Sequence, residues 1–243
     1  MAERGRILGH RGCLPGGLMG DNVVLLSAGL DSSVNFLVAM EEGGVEAAVT
    51  VDYGQRAAPR EVEMAGRLCA SHGVRHLVLE ARWLGEVSND ALTTAGIKPP
   101  EMSVEALKDS GFMGETAGAV WVPNRNGLLA AMGACVAEAL GARWVVMGLN
   151  AEEAATFPDN SRDFLKAAKR VMEYSTRKGI KLRSFTIEWD KMDILREALA
   201  RGLDFRFIWA CYNVGASMCG RCESCARLRR AAQGLRVTER FEE

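Results

Sequence analysis

The chain has 243 residues, 48% hydrophobic and 25% charged, a balance that supports a folded core and excludes disordered and membrane-embedded classes. Thirty basic side chains against thirty-one acidic ones leave no whole-molecule field to gather nucleic acid by counterion release, so no direct nucleic-acid partner is expected. This length suits one large α/β domain with a small appendage.

Residues 1–21 hold Arg4, Arg6, Arg11 and several glycines without the apolar stretch of a signal peptide, and read as a flexible leader. The longest apolar runs fall well short of the roughly 20 residues that span a bilayer, which points to a soluble, cytoplasmic protein with no membrane partner. Val23 to Leu26 is a short β-branched run that ends at Ser27-Ala28-Gly29, and Ser32 to Met40 follows with helical apolar spacing. A strand over Ala47–Asp52, a helix from Pro59 to His72 and a strand over His76–Glu80 come next. From Leu84 to Ala119 the periodicity fades into a long loop with a short helix. Order returns with a helix over Asn126–Leu140, a strand over Trp144–Gly148, a helix over Phe164–Lys178, a strand over Arg183–Ile187 and a helix over Met192–Arg201 that stops at Gly202. Strands alternating with helices predict a parallel sheet covered on both faces. The expected organisation is a leader (1–21), an ATP-binding α/β domain (22–202) and a C-terminal zinc-binding region (203–243).

The turn between the first strand and helix leaves backbone N–H groups unpaired where the helix dipole favours an anion. Ala28 and Gly29 admit phosphate oxygens close to the backbone, Leu30 enters the helix, Ser27, Ser32 and Ser33 offer hydroxyl donors, and Asp31 can help hold Mg²⁺ or cap the helix. The spacing lacks the third glycine of a dinucleotide fingerprint and the Gly-Lys-Ser/Thr of a Walker loop. It resembles instead the Ser-Gly-Gly-x-Asp-Ser signature of the PP-loop ATP pyrophosphatases, with Ala28 in place of the first glycine. That replacement requires either a negative φ or a tolerated strain.

Cys219, Cys222 and Cys225 form two overlapping CxxC steps, and Cys211 precedes them by a short glycine-containing loop. Four soft ligands suit tetrahedral Zn²⁺ in a closed, structural site, with an iron-sulfur cluster or a redox dithiol as the competing readings. Gly220 permits the tight turn of such a knuckle. Cys13 stands alone, and Cys69 and Cys135 fall within helical patterns as small buried hydrophobes. The basic run Arg227, Arg229 and Arg230 reads as a solvated helix face.

The phosphate loop, Asp52-Tyr53-Gly54-Gln55-Arg56, Val122-Pro123-Asn124-Arg125-Asn126, Phe157-Pro158-Asp159 and Cys211-Tyr212-Asn213 through Cys225 occur in one order. From about Val23 to Arg230 that set resembles the 7-cyano-7-deazaguanine synthase family of queuosine and archaeosine precursor biosynthesis. The resemblance implies a PP-loop α/β fold with a small zinc-bearing C-terminal region, a homodimer, and ATP-dependent conversion of a 7-deazapurine carboxylate and ammonia to a nitrile through an adenylate and an amide. Residue chemistry then assigns phosphate binding to Ser27, Gly29, Asp31, Ser32 and Ser33. Arg56 and Arg125 would meet phosphate or the substrate carboxylate, Tyr53 and Gln55 would frame the nucleotide or base, and Lys166 and Lys191 would neutralise departing pyrophosphate. Asn126 and Asp159 would face substrate. Against these stand simpler readings: Lys166 solvated on its helix, Arg125 and Asn126 capping the next helix, Asp159 in a turn after Pro158. Asn150 to Thr156 departs from the commoner family pattern, and Asn160 stands where many relatives place a cysteine.

A different PP-loop reaction, tRNA-base thiolation or amidation of another carboxylate, is the alternative enzyme reading. Thiolation calls for reactive cysteines beside the ATP site, and glutamine-dependent amidation for a glutaminase nucleophile that the sequence does not display. A zinc-ribbon adaptor is the non-enzymatic alternative, at odds with the neutral charge and the ATP loop.

Overall fold

The computed structural model describes residues 20–108 and 116–241, so the expected leader lies almost wholly outside the described residues. Five strands, β1 (Asn22–Leu25), β2 (Val45–Asp52), β3 (His76–Glu80), β4 (Trp144–Val146) and β5 (Lys181–Arg183), pair in the order β3-β2-β1-β4-β5. Every pairing is parallel, with Val24 opposite both Ala48 of β2 and Val146 of β4. The chain order reverses direction between β1 and β4. In open parallel sheets this switch point leaves a crevice at the carboxyl ends of the strands.

Side chains alternate across the sheet and so divide the core in two. Val24, Leu26, Ala48 and Val146 pack with α1 (Leu30–Glu41), α2 (Ala58–Ser71), α7 (Lys191–Ala200) and α8 (Glu223–Leu235). Val23, Leu25, Val49, Val51 and Val145 pack on the opposite face, against residues in and after α3 (Trp83–Val87), in α4 (Arg125–Leu140), and in α6 (Arg162–Ser175), which follows the single turn α5 (Ala151–Ala154). α6 contributes Leu165 and Met172, α7 contributes Ile194, Leu195 and Ala198, and α8 contributes Leu228, Ala231 and Ala232. Cys211, Cys222 and Cys225 belong to the same core as Val24 and Phe36.

The elements begin and end for local reasons. α7 opens on a capping box in which Asp190 accepts from the Met192 and Asp193 backbone N–H groups. Ser161 accepts from Phe164 N at 3.1 Å to start α6, and Gly141, at φ 85°, closes α4. The last strand lies earlier than the expected Arg183–Ile187: β5 ends at Arg183. Thr186 leaves the sheet, because its hydroxyl donates to the Leu149 carbonyl at 2.6 Å and accepts from Asn35 Nδ2 at 2.7 Å. Side-chain partners thus satisfy a β-branched stretch that the pattern assigns to a ladder.

Residues 88–108 of the expected long loop form a strap. The Arg56 guanidinium donates to the carbonyls of Ala91, Thr94 and Ile97, and farther along the Met102 N–H donates to the Arg221 carbonyl at 2.7 Å. Glu101 and Cys222 form an antiparallel bridge, which docks the strap on the cysteine cluster. Cys69 is buried as expected, whereas Cys135 is exposed on α4. Arg227 also departs from its solvated reading: it is buried between Glu223 and Glu152, at 2.8 and 2.6 Å, while Arg230 reaches Glu152 and Arg229 is exposed.

Candidate active site

At the switch point the loop from Ser27 to Ser32 opens into a cleft of about 250 Å³ that extends over the carboxyl ends of β2, β1 and β4. Ser32 Oγ donates to the Gly29 carbonyl at 3.1 Å and lies 3.2 Å from Ser27 Oγ, which draws the loop into a ring. Ala28 takes the strained alternative, at φ 58°, with its methyl wholly buried. Gly29 has an ordinary φ of −66°, and a Cβ there would point into open space apart from Ser27 Oγ at 3.4 Å. Here the absent side chain, rather than unusual torsion, keeps the approach to the α1 N-terminus clear.

Gly148 makes the loop's second boundary. A Cβ at this position would stand 2.8 Å from Ser32 N and 3.0 Å from Ser32 Cα, so only glycine lets the segment after β4 pass beside α1. That passage brings Asn150 and Glu153 to Asp31. Lys191 Nζ donates to Asp31 at 2.7 Å and to Glu153 at 2.8 Å, and Asn150 Nδ2 donates to Asp31 at 3.1 Å. Two half-buried carboxylates therefore share one buried ammonium. Burial alone would raise both; Lys191 outweighs it at Glu153, whose carboxyl is held at about 2, while burial keeps Asp31 above the ordinary carboxylate range.

The other end of the cleft is lined by Tyr53, Gln55, Glu61, Leu92, Arg125 and Asn126. Arg125 lies beside Tyr53, whose phenol is pushed up mainly by burial. Gln55 accepts from Tyr53 N at 2.9 Å and donates to Glu61 at 2.8 Å. Among cleft-lining carboxylates, Glu61 is the one with no ion-pair partner among the described residues, and burial raises its carboxyl to about 7.

Ser27, Gly29, Leu30, Asp31, Ser32, Tyr53, Gln55, Arg125, Asn126 and Lys191 thus converge on one cleft. Ala28 lies within the loop but outside the cleft lining, its side chain wholly buried. Four other expected residues are not brought to the cleft. Ser33 is fully buried, one helical position past Ser32 and turned into the core. Arg56 holds the strap through backbone carbonyls. Lys166 is exposed beside buried Leu165, on the solvent side of amphipathic α6. Asp159 offers its carbonyl to Asn126 Nδ2 at 3.1 Å, while its neighbour Asn160 lines the cleft. Glu61, Glu153, Asn160 and Tyr212 line the cleft without having been assigned roles from sequence. The Glu152-Glu153 pair within the departing segment and Tyr212 within the Cys-Tyr-Asn block carried a signal; Glu61, acidic in a first helical turn after Pro59, looks like any dipole partner.

The four sulfurs of Cys211, Cys219, Cys222 and Cys225 lie within 4.8 Å of one another. Tetrahedral zinc at about 2.3 Å from each thiolate needs sulfurs just under 4 Å apart, so the cluster fits after a small contraction. Cys211 Sγ already accepts N–H bonds from Asn213 and Cys219, both at 3.3 Å, as a thiolate ligand requires. Gly220, at φ 69°, makes the turn between ligands.

An all-parallel sheet with a strand-turn-helix at its switch point, an Asp-Lys-Glu group beside it and a four-cysteine cluster defines a PP-loop α/β protein. Sequence comparison narrows the class. The chain belongs to the family described as "Queuosine biosynthesis protein QueC", whose model matches residues 21–236. The 7-cyano-7-deazaguanine synthase of Desulforamulus reducens is 44% identical over 91% of this chain and 98% of its own. Those of Bdellovibrio bacteriovorus and Methanosarcina mazei are 42% and 37% identical, over 86% and 89% of this chain and 91% and 95% of theirs. Among solved structures, the NMN synthetase of Francisella tularensis is 13% identical with a TM-score of 0.43, covering 94% of this chain and 84% of that one.

Proposed function

We propose that the protein is a 7-cyano-7-deazaguanine synthase, which converts 7-carboxy-7-deazaguanine to the nitrile at the expense of ATP. The observation that carries this reading is the opening of the Ser27–Ser32 loop into the same cleft as Arg125 and Lys191, in a chain of this family. A carboxylate resists attack by an amine at neutral pH, so it must first acquire a leaving group.

The loop N–H groups and the Ser27 and Ser32 hydroxyls receive the triphosphate at the α1 N-terminus. A substrate carboxylate oxygen attacks the α-phosphorus, the bond to the bridging oxygen breaks, and pyrophosphate leaves. Lys191 is placed to follow that developing charge, since it already bridges Asp31 and Glu153 at the mouth of the loop. Ammonia then adds to the acyl carbon, loses a proton and expels AMP, which leaves an amide. The amide oxygen attacks the α-phosphorus of a second ATP, a second pyrophosphate leaves, and loss of AMP and the two remaining N–H protons forms the carbon-nitrogen triple bond. Arg125, beside Tyr53 in the cleft, is suited to orient a carboxylate or phosphate by its planar fork of donors.

Asp31 and Glu153 are two hard oxygen donors beside the loop, suited to hold Mg²⁺ with the phosphates, where the ion would screen their charge. Zinc on the four cysteines would be structural, since all four positions are taken by protein. Free ammonia as nitrogen donor, a homodimeric state and a cytoplasmic location belong to the same reading. Incubation of the protein with Mg-ATP, ammonium and 7-carboxy-7-deazaguanine tests it by mass: nitrile and AMP together support the reading. ADP as the nucleotide product, or an unmodified base, refutes it.

A further inference from the structure

Ala28 carries a Cβ in the left-handed region, where a side chain costs free energy that glycine does not incur. Something must hold it there. Its carbonyl accepts a 2.8 Å hydrogen bond from the backbone N–H of Trp209, a residue that also lines the cleft. Trp209 is fixed on two sides: the Arg60 guanidinium lies 4.5 Å from the centre of its ring, and its indole N–H donates to the Asn213 carbonyl at 3.2 Å. Asn213 in turn donates its own N–H to Cys211 Sγ. Residues 209–213 are therefore a short bracket, with one end on the thiol cluster and the other on the strained carbonyl of the phosphate loop.

We propose that Trp209 is a positioning residue through which metal on the four cysteines sets the conformation of the phosphate loop, so that zinc occupancy raises affinity for a nucleoside triphosphate. The inference rests on the ATP reading above. Zinc bonds tie Cys211 to Cys219, Cys222 and Cys225 and so fix where the Trp209 N–H stands. Without that tie, the Ala28 carbonyl loses its donor, the alanine relaxes out of the left-handed region, and the loop N–H groups turn from the ligand. Only the fraction of molecules still in the strained conformation binds, and apparent affinity falls by that fraction. Glycine at position 28 would adopt the same torsion without help, so an Ala28→Gly loop should depend far less on the metal.

The test is calorimetric binding of α,β-methylene-ATP with Mg²⁺ to the full chain, zinc-loaded and zinc-depleted, for the wild type and Ala28→Gly. Depletion is expected to weaken binding about tenfold in the wild type and about twofold or less in Ala28→Gly. Equal weakening in both proteins, or none in the wild type, overturns the proposal. Absence of binding to either loaded protein refutes the ATP reading instead. Should depletion abolish the native circular dichroism, the loaded proteins decide: Arg60→Ala, which frees the Trp209 ring, is expected to weaken binding severalfold in the wild-type background and not in the Ala28→Gly background. An equal effect of Arg60→Ala in both backgrounds overturns the bracket.

Discussion

Glu61 reaches the cleft from the first turn of α2, where Gln55 is its hydrogen-bond donor and burial lifts its carboxyl from 4.5 to about 7. A carboxyl that is harder to ionise when folded binds a proton more tightly in the folded state. Its stabilising contribution is therefore full below pH 4.5, is lost as pH rises to about 7, and changes no further above that. Glu61→Gln, which stays neutral, is expected to remove about 1–2 kcal/mol of this decline, the group being only partly shielded from solvent. Urea unfolding of both proteins at pH 5 and pH 8 reads the difference; parallel curves would show that Glu61 titrates normally. Asp31 tests the opposite end of the cleft. Asp31→Asn keeps the shape and the Asn150 contact but leaves Lys191 one carboxylate, and AMP formation is expected to fall about 100-fold with the fold intact. A rate within threefold of wild type would remove Asp31 from the chemistry.

Between elements, close approach decides what is tolerated. A methyl group at position 148 would meet the Ser32 backbone, which cannot move without displacing the α1 N-terminus. Gly148→Ala should cost about 1–3 kcal/mol and weaken triphosphate binding together, whereas a stability loss with unchanged binding would show that the strain is absorbed elsewhere. The same distinction explains what the sequence made legible. Apolar runs and caps placed the strands and the long helices, because their spacing reports burial directly, as the wholly buried β1 and the Gly141-closed α4 illustrate. Long-range hydrogen bonds leave no such trace. Thr186 left the sheet for Leu149, and the Arg56 guanidinium clamps the strap through the carbonyls of Ala91 and Thr94. Within the site, the Ser27–Ser32 turn was legible as a contiguous motif. Glu61 and Glu153 were not assigned because their importance arises from groups on other elements, Gln55 for one and Lys191 for the other.

Across the molecule, the cysteine cluster and the sheet are parts of one hydrophobic core, which joins Cys211, Cys222 and Cys225 to Val24, Phe36 and Ile194. Metal-binding free energy is then folding free energy for more than the C-terminal segment. Zinc removal, or Cys222→Ser, is expected to lower the midpoint of the main thermal transition by about 10 °C. A separate low-temperature transition with the main one unmoved would show instead that the cluster region unfolds by itself. The chemistry proposed for the cleft makes a demand that fold and affinity cannot mimic: each of the two carboxylate oxygens must depart on an α-phosphorus. With 7-carboxy-7-deazaguanine labelled by ¹⁸O at both carboxylate oxygens, mass spectrometry of the nucleotide product is expected to find one heavy oxygen in every AMP and two AMP per nitrile. Heavy oxygen in inorganic phosphate, or AMP free of label, would contradict adenylation in this cleft.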